Sequence, residues 1–161
     1  MIYRLNDDDY GRALAAADRR FEFYNGKTGD EKMIRRPHPA SMYHLLLMSC
    51  VSELAVARAW DRHWTGEWAG AIADVGTNIE VRYSPKRQNL VLRWHEVEQF
   101  GAYRQFVLTY PVTGDDQAVE IVGWAYKKHV MTYGEPFQSG PTKLMILSAN
   151  HLTPFNPLIR L

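Results

Sequence analysis

Between Trp60 and Ala69 the spacing of apolar side chains changes, and that change limits what this chain can fold into. Upstream, hydrophobic residues recur three and four apart, as one face of a helix requires. Downstream they alternate or gather in short β-branched runs, as strands require. Helices first and strands afterwards predict an α+β domain whose N-terminal helices pack on a mixed, five-stranded sheet.

The helical half divides in two. Asp7, Asp8 and Asp9 suit the positive end of a helix, and Tyr10, Leu14, Ala17 and Phe21 follow at helical spacing, which predicts a first helix near 9–24. Asn25-Gly26 breaks it, and the basic, proline-containing stretch 33–39 reads as a loop carrying Arg35 and Arg36. From Ser41, read as an N-cap, Met42, Leu45, Leu46, Ser49, Val56 and Trp60 keep one stripe going and predict a second helix to about Trp60. Candidate strands are 69–75, 79–84, 89–94, 105–111 and 119–126, with a short helix within 95–103. Gly76-Thr77-Asn78 and Thr113-Gly114-Asp115-Asp116 read as tight turns, which favour antiparallel neighbours. Past Met131, glycines and prolines bracket one apolar run, 143–147, readable as an edge strand or a packed tail.

The chain's 161 residues suit one domain spanning 1–161, with 1–40 as an N-terminal extension, 41–130 as the core and 131–161 as a C-terminal tail. With 46% hydrophobic and 23% charged residues it reads as globular, and it lacks the uninterrupted apolar run of about 18 residues that crosses a bilayer. One cysteine, Cys50, leaves no internal disulfide and suits a reducing compartment, so the expected location is the cytoplasm, that of a host cell if the chain is phage-encoded. A formal net charge of +1 makes any polyanion contact local rather than global.

Three acidic positions carry the chemistry. Glu80-Val81-Arg82 lies on a predicted strand, so Glu80 and Arg82 share a face while Val81 points the other way. If 69–75 and 79–84 form a hairpin, Asp74 lies beside Glu80 across the turn, and two neighbouring carboxylates repel unless a cation separates them. Magnesium prefers hard oxygen ligands, so Asp74, Glu80 and the Val81 carbonyl make an adequate site, where an ion would supply a water able to attack a phosphodiester. Glu53 shares helical spacing with Leu46, Cys50 and Ala57, where a carboxylate is costly without a cation or hydrogen-bond partners; Arg82 is one candidate partner. The alternative reading of these residues is a structural salt bridge.

Asp74-Val75 followed by Glu80-Val81-Arg82, with Ser52-Glu53-Leu54-Ala55-Val56-Ala57 upstream and Phe106-Val107-Leu108 and Ile121-Val122-Gly123-Trp124 downstream, resembles the PD-(D/E)XK, or restriction-endonuclease-like, nuclease superfamily, especially small phage-encoded members. The resemblance covers about 52–126. It implies a core of a helix, a three-stranded antiparallel meander, a helix and a further strand. It implies Mg²⁺ or Mn²⁺ held by Asp74, Glu80 and the Val81 carbonyl, with Glu53 touching the ion directly or through water, and Arg82 in the place of the family lysine. A guanidinium stays charged at any relevant pH, so Arg82 positions water or stabilises charge and cannot serve as base.

Histidines follow no ligand pattern: His95-Glu96-Val97-Glu98-Gln99 has Gln99 where a zinc protease needs its second histidine. Lys86, Arg87, Arg35 and Arg36 are candidate phosphate contacts. Two functions follow as expectations: a metal-dependent nuclease hydrolysing DNA, or a catalytically weak or inactive nuclease-fold module that binds nucleic acid or a phage or host protein. Homodimerisation is compatible with both, and neither involves a membrane.

Overall fold

Between residues 45 and 57 only Ser49, Ser52 and Glu53 are polar, and a helix apolar on most sides must be covered on most sides. The computed structural model, which describes residues 1–26, 39–66 and 73–156, meets that demand. Helix α2 (Pro39–Ala59) packs on α1 (Asp7–Gly26) and on the strands β2 (Ile79–Tyr83) and β5 (Asp115–Tyr126), and every residue from Val51 to Ala57 is buried. Among the described residues, α2 is the one helix long and apolar enough to cross a membrane.

Both helices start earlier than their periodicity suggests. Asn6, rather than the aspartates, caps α1, its Oδ1 accepting from the Asp9 N–H at 2.8 Å, while Asp7, Asp8 and Asp9 fill the first turn. Helix α2 begins at Pro39, so Ser41 lies inside it and is not its N-cap; proline is suited to a first helical position because no intrahelical N–H is needed there.

The molecule is α+β, with a mixed five-stranded sheet. Its order is β1 (Ile2–Arg4), β5, β4 (Gln105–Val112), β2, with β8 (Thr153–Pro154) also pairing with β5. A second sheet of three strands runs β3 (Leu90–Arg93), β7 (Thr142–Leu147), β6 (Glu135–Ser139). Two cores result: one between the helices and the main sheet, the other between the main sheet's opposite face and the second sheet, where Leu90, Leu92, Phe106, Leu108, Met145 and Leu147 are buried together. Short helices α3 (Trp94–Gln99) and α4 (Lys127–Tyr133) complete that side.

Several expectations need correction. The antiparallel meander is not formed: β2 pairs in parallel with β4, Ile79 opposite Gln105 and Tyr83 opposite Thr109, and β3 belongs to the other sheet. The turn after β2 explains the departure, because Arg87 adopts a left-handed conformation (φ 51°) and Gln88 N–H bonds to Ser84 Oγ at 3.0 Å, so the chain leaves β2 before Leu90. Of 69–75, the first four residues lie outside the described set, and the rest is no strand: Val75 makes only isolated bridges, to Trp64 and Ile79. The run 143–147 is neither edge nor tail. It is most of β7, paired with β3 on one side and β6 on the other. Strands β1 and β8 are too short for alternation to reveal, and β8 approaches β5 only because Gly123 is bare; a Cβ there would lie 2.7 Å from the Thr153 carbonyl oxygen. The first 26 residues supply β1 and α1 to the same sheet and core as the rest.

Candidate functional site

Among the described strands β2 lies at the end of the main sheet, with helices α1 and α2 on one side and β3 and α3 on the other. A cavity of about 530 Å³ runs along this edge. Glu53, Asp74, Glu80, Val81 and Arg82 all line it, joined by Arg20, Arg93, His95 and Glu96. Lys86 and Arg87 do not line it: both are exposed in the turn after β2, where Arg87 is ion-paired with Glu120 and lies 5.1 Å from the Tyr110 ring centre. Arg35 and Arg36 lie outside the described residues.

Asp74 reaches the cavity through a backbone clasp. Val75 and Ile79 bond to each other across the Gly76–Asn78 turn, which sets positions 74 and 80 side by side, and Thr65 N–H and Oγ1 both donate to the Asp74 carbonyl oxygen. The side chain then accepts from the Val81 N–H at 2.8 Å, and Arg82 Nη1 lies 3.9 Å away. Burial, followed by the charge of Glu53, pushes the Asp74 carboxyl up to about 6.

Glu80 and Arg82 share a face of β2, as strand geometry requires, and register beside Phe106 and Leu108 of β4. Arg104, one residue before β4, donates from its Nε to Glu80 Oε1 at 3.0 Å and bridges to the Thr77 carbonyl oxygen at 3.1 Å. Arg82 spans the carboxylates: 3.7 Å to Glu80, 3.9 Å to Asp74 and 2.6 Å to Glu96. Glu96 is fixed in turn by accepting from the Arg93 N–H at 2.7 Å, on entry to α3. Glu80 is raised above its ordinary pKa by burial first and by the charge of Asp74 second.

Glu53 is held differently, and not by Arg82. Arg20 of α1 forms a two-pronged pair with it, each N–H···O contact 2.7 Å long, and the Trp64 indole N–H donates at 3.0 Å. Both partners are buried, so the pair's geometry and its extra hydrogen bond are what make burial tolerable. Arg20 was legible in principle, since it extends the buried stripe Ala13, Ala16, Ala17, where a cation demands a partner. Neighbouring Cys50 is no nucleophile: burial, then the Glu53 charge, pushes its thiol up to about 12.

Two carboxylates raised by burial and by a neighbouring charge, that of Glu53 for Asp74 and that of Asp74 for Glu80, lie beside a backbone carbonyl and have the hard-oxygen chemistry that Mg²⁺ or Mn²⁺ takes. Among the described residues no group of three or more His, Cys, Asp or Glu side chains is arranged to hold a metal, so an ion here would rest on Asp74, Glu80, the Val81 carbonyl and solvent. The three comparisons find no matching family model, curated protein or solved structure.

Proposed function

We propose that this chain is a divalent-metal-dependent hydrolase of nucleic-acid phosphodiester bonds, DNA foremost, whose site resembles that of restriction-endonuclease-like nucleases although the antiparallel meander of their core is replaced here by the parallel pairing of β2 with β4. The observation that carries this reading is the convergence of Asp74, Glu80, Glu53 and Arg82 on one cavity at a sheet edge, from a loop, a strand and a helix far apart in sequence. Asp74 and Glu80, with the Val81 carbonyl, are the groups that would hold Mg²⁺ or Mn²⁺. The chemistry such an ion supplies is a more acidic water and partial neutralisation of the phosphate.

The remaining work falls to the chain's own groups. Arg82, already poised among three carboxylates, faces the phosphate and stabilises charge that develops on it; being permanently cationic, it takes no proton. Arg104 anchors Glu80 through Oε1 while Arg82 lies nearer Oε2, so Glu80 keeps its place when Arg82 moves to substrate. The Arg20–Glu53 pair fixes the helix wall of the cavity.

The same Arg82 geometry favours a second reading. Its guanidinium lies where a small cation would relieve the carboxylates, which suits a fold kept for binding after loss of hydrolysis. Incubation of supercoiled plasmid and single-stranded DNA with the protein and Mg²⁺ or Mn²⁺ separates the two. Hydrolysis predicts cleavage that falls at least a hundred-fold in Glu80→Gln and is retained or increased in Arg82→Lys. A wild-type chain that binds DNA but never cuts it, while Arg82→Lys also stays silent, leaves only the binding module.

A further inference from the structure

A second cavity, of about 590 Å³, opens on the helix-side face at the starts of β2 and β4, and shares no lining residue with the acidic one. Its walls include Trp60, His63, Asn78, Tyr103, Gln105 and Tyr126. Three features set it apart from an ordinary surface dent. Gln105 is 6% exposed and lines the cavity, and among the described residues its carboxamide makes no hydrogen bond, so its donor and acceptor are open to whatever fills that space. Tyr103 is 63% exposed and meets Tyr126 edge to face at 5.9 Å, so the two rings form an aromatic corner. Lys128 Nζ lies 4.3 Å from the Tyr103 ring centre, which keeps a positive charge at the rim.

The corner is also held in advance. Asn78 Nδ2 donates to the Tyr103 carbonyl oxygen at 2.7 Å, Arg104 N–H bonds to the Gly101 carbonyl at 3.0 Å, and Lys128 N–H bonds to the Ala102 carbonyl at 2.9 Å. A ring surface, an amide able to pair with a donor–acceptor edge and a cation at the rim together match one kind of ligand: a flat heterocycle bearing hydrogen-bonding groups on its edge and an anionic substituent.

We propose that this second cavity binds an unpaired nucleobase, its face against one ring of the Tyr103–Tyr126 corner, its edge read by Gln105 and its phosphate met by Lys128. The site stands on its own residues and needs no hydrolysis at the acidic cavity. The Gly76–Asn78 turn connects the two: Asp74 and Glu80 flank it, while Thr77 and Asn78 line the base pocket. A strand with one base held here is single-stranded or distorted at that point.

Isothermal titration of the full chain in EDTA, with the four ribonucleoside 5′-monophosphates and with ribose 5-phosphate and inorganic phosphate as controls, decides it. Binding is read without turnover, so a chain that cleaves nothing still gives an answer. The expected result is that at least one nucleotide binds ten-fold or more tightly than either control. Tyr103→Ala should weaken it about ten-fold, and Gln105→Glu should change the order of preference among the bases. Absence of nucleotide binding, equal binding of ribose 5-phosphate, or an affinity indifferent to Tyr103→Ala overturns the proposal. If Gln105→Glu does not fold by circular dichroism, the exposed Tyr103 variant alone is decisive.

Discussion

Glu53 and Asp74 line the same cavity, yet Glu53 takes two hydrogen bonds from Arg20 and a third from the Trp64 indole, while Asp74 has one backbone N–H and an Arg82 nitrogen 3.9 Å away. The difference separates structure from candidate chemistry. A carboxylate whose charge is matched and whose oxygens are bonded has nothing further to gain from a metal ion. One that is half-buried beside other carboxylates, and only loosely matched, gains most from a cation. Glu53 and Arg20 therefore form the frame, and Asp74, the less matched of the two carboxylates, is the one that the proposed function assigns to an ion together with Glu80.

Removing one partner of the frame gives the largest expected effect. Glu53→Gln leaves the Arg20 guanidinium buried opposite a neutral amide, and we expect a loss of roughly 3–5 kcal/mol in urea unfolding. Asp74→Asn keeps the Val81 N–H acceptor and removes an under-matched charge, so it should cost less than about 1 kcal/mol near neutral pH, or stabilise. Equal losses at the two positions would erase the distinction.

A smaller effect sharpens it through pH. The folded-state pKa of Asp74 is raised from its ordinary 3.8 to about 6, so the folded state prefers the protonated form. Its contribution is complete below pH 3.8 and is lost as pH rises through about 6. In metal-free buffer the stability of the wild type relative to Asp74→Asn should therefore fall over that window, by on the order of 3 kcal/mol. Asp9 supplies the opposite sign. Its hydrogen bonds from Arg58 lower its pKa, so its contribution is present above the ordinary value of 3.8 and disappears on further acidification. Unfolding curves of Asp74→Asn and Asp9→Asn collected from pH 3 to 8 (range ~5 pH units) should diverge from wild type in opposite directions.

How much of this was legible in the sequence depends on the range of the interaction. Both long helices follow from local periodicity, and so do the Gly76–Asn78 and Thr113–Gly114 turns, because a few neighbouring residues decide them. The parallel pairing of β2 with β4 was not legible, since it depends on where β3 goes, and β3 is drawn away by Leu90 and Leu92 seeking the second core. Glu53, Asp74, Glu80, Val81 and Arg82 were identifiable by type and spacing, and they do share a cavity. Their partners were hidden. Arg20 lies 33 residues from Glu53, Arg104 lies 24 from Glu80, and Glu96 stands in the sequence only as part of an incomplete zinc motif. Gln105 is illegible in the sequence for a different reason: on a strand it reads as one polar residue among apolar ones, and only tertiary packing sets its amide against a cavity.

The most direct test of the central claim is calorimetric titration of Mg²⁺ and Mn²⁺ into the metal-free chain, paired with thermal unfolding. We predict binding of about one ion per chain and a Tm that rises with ion concentration, worth about 2.7 kcal/mol at a hundred times Kd, with both signals lost in Asp74→Asn and in Glu80→Gln. Heat and Tm that stay flat in the wild type, or that persist unchanged when Asp74 and Glu80 are neutralised, would contradict the account.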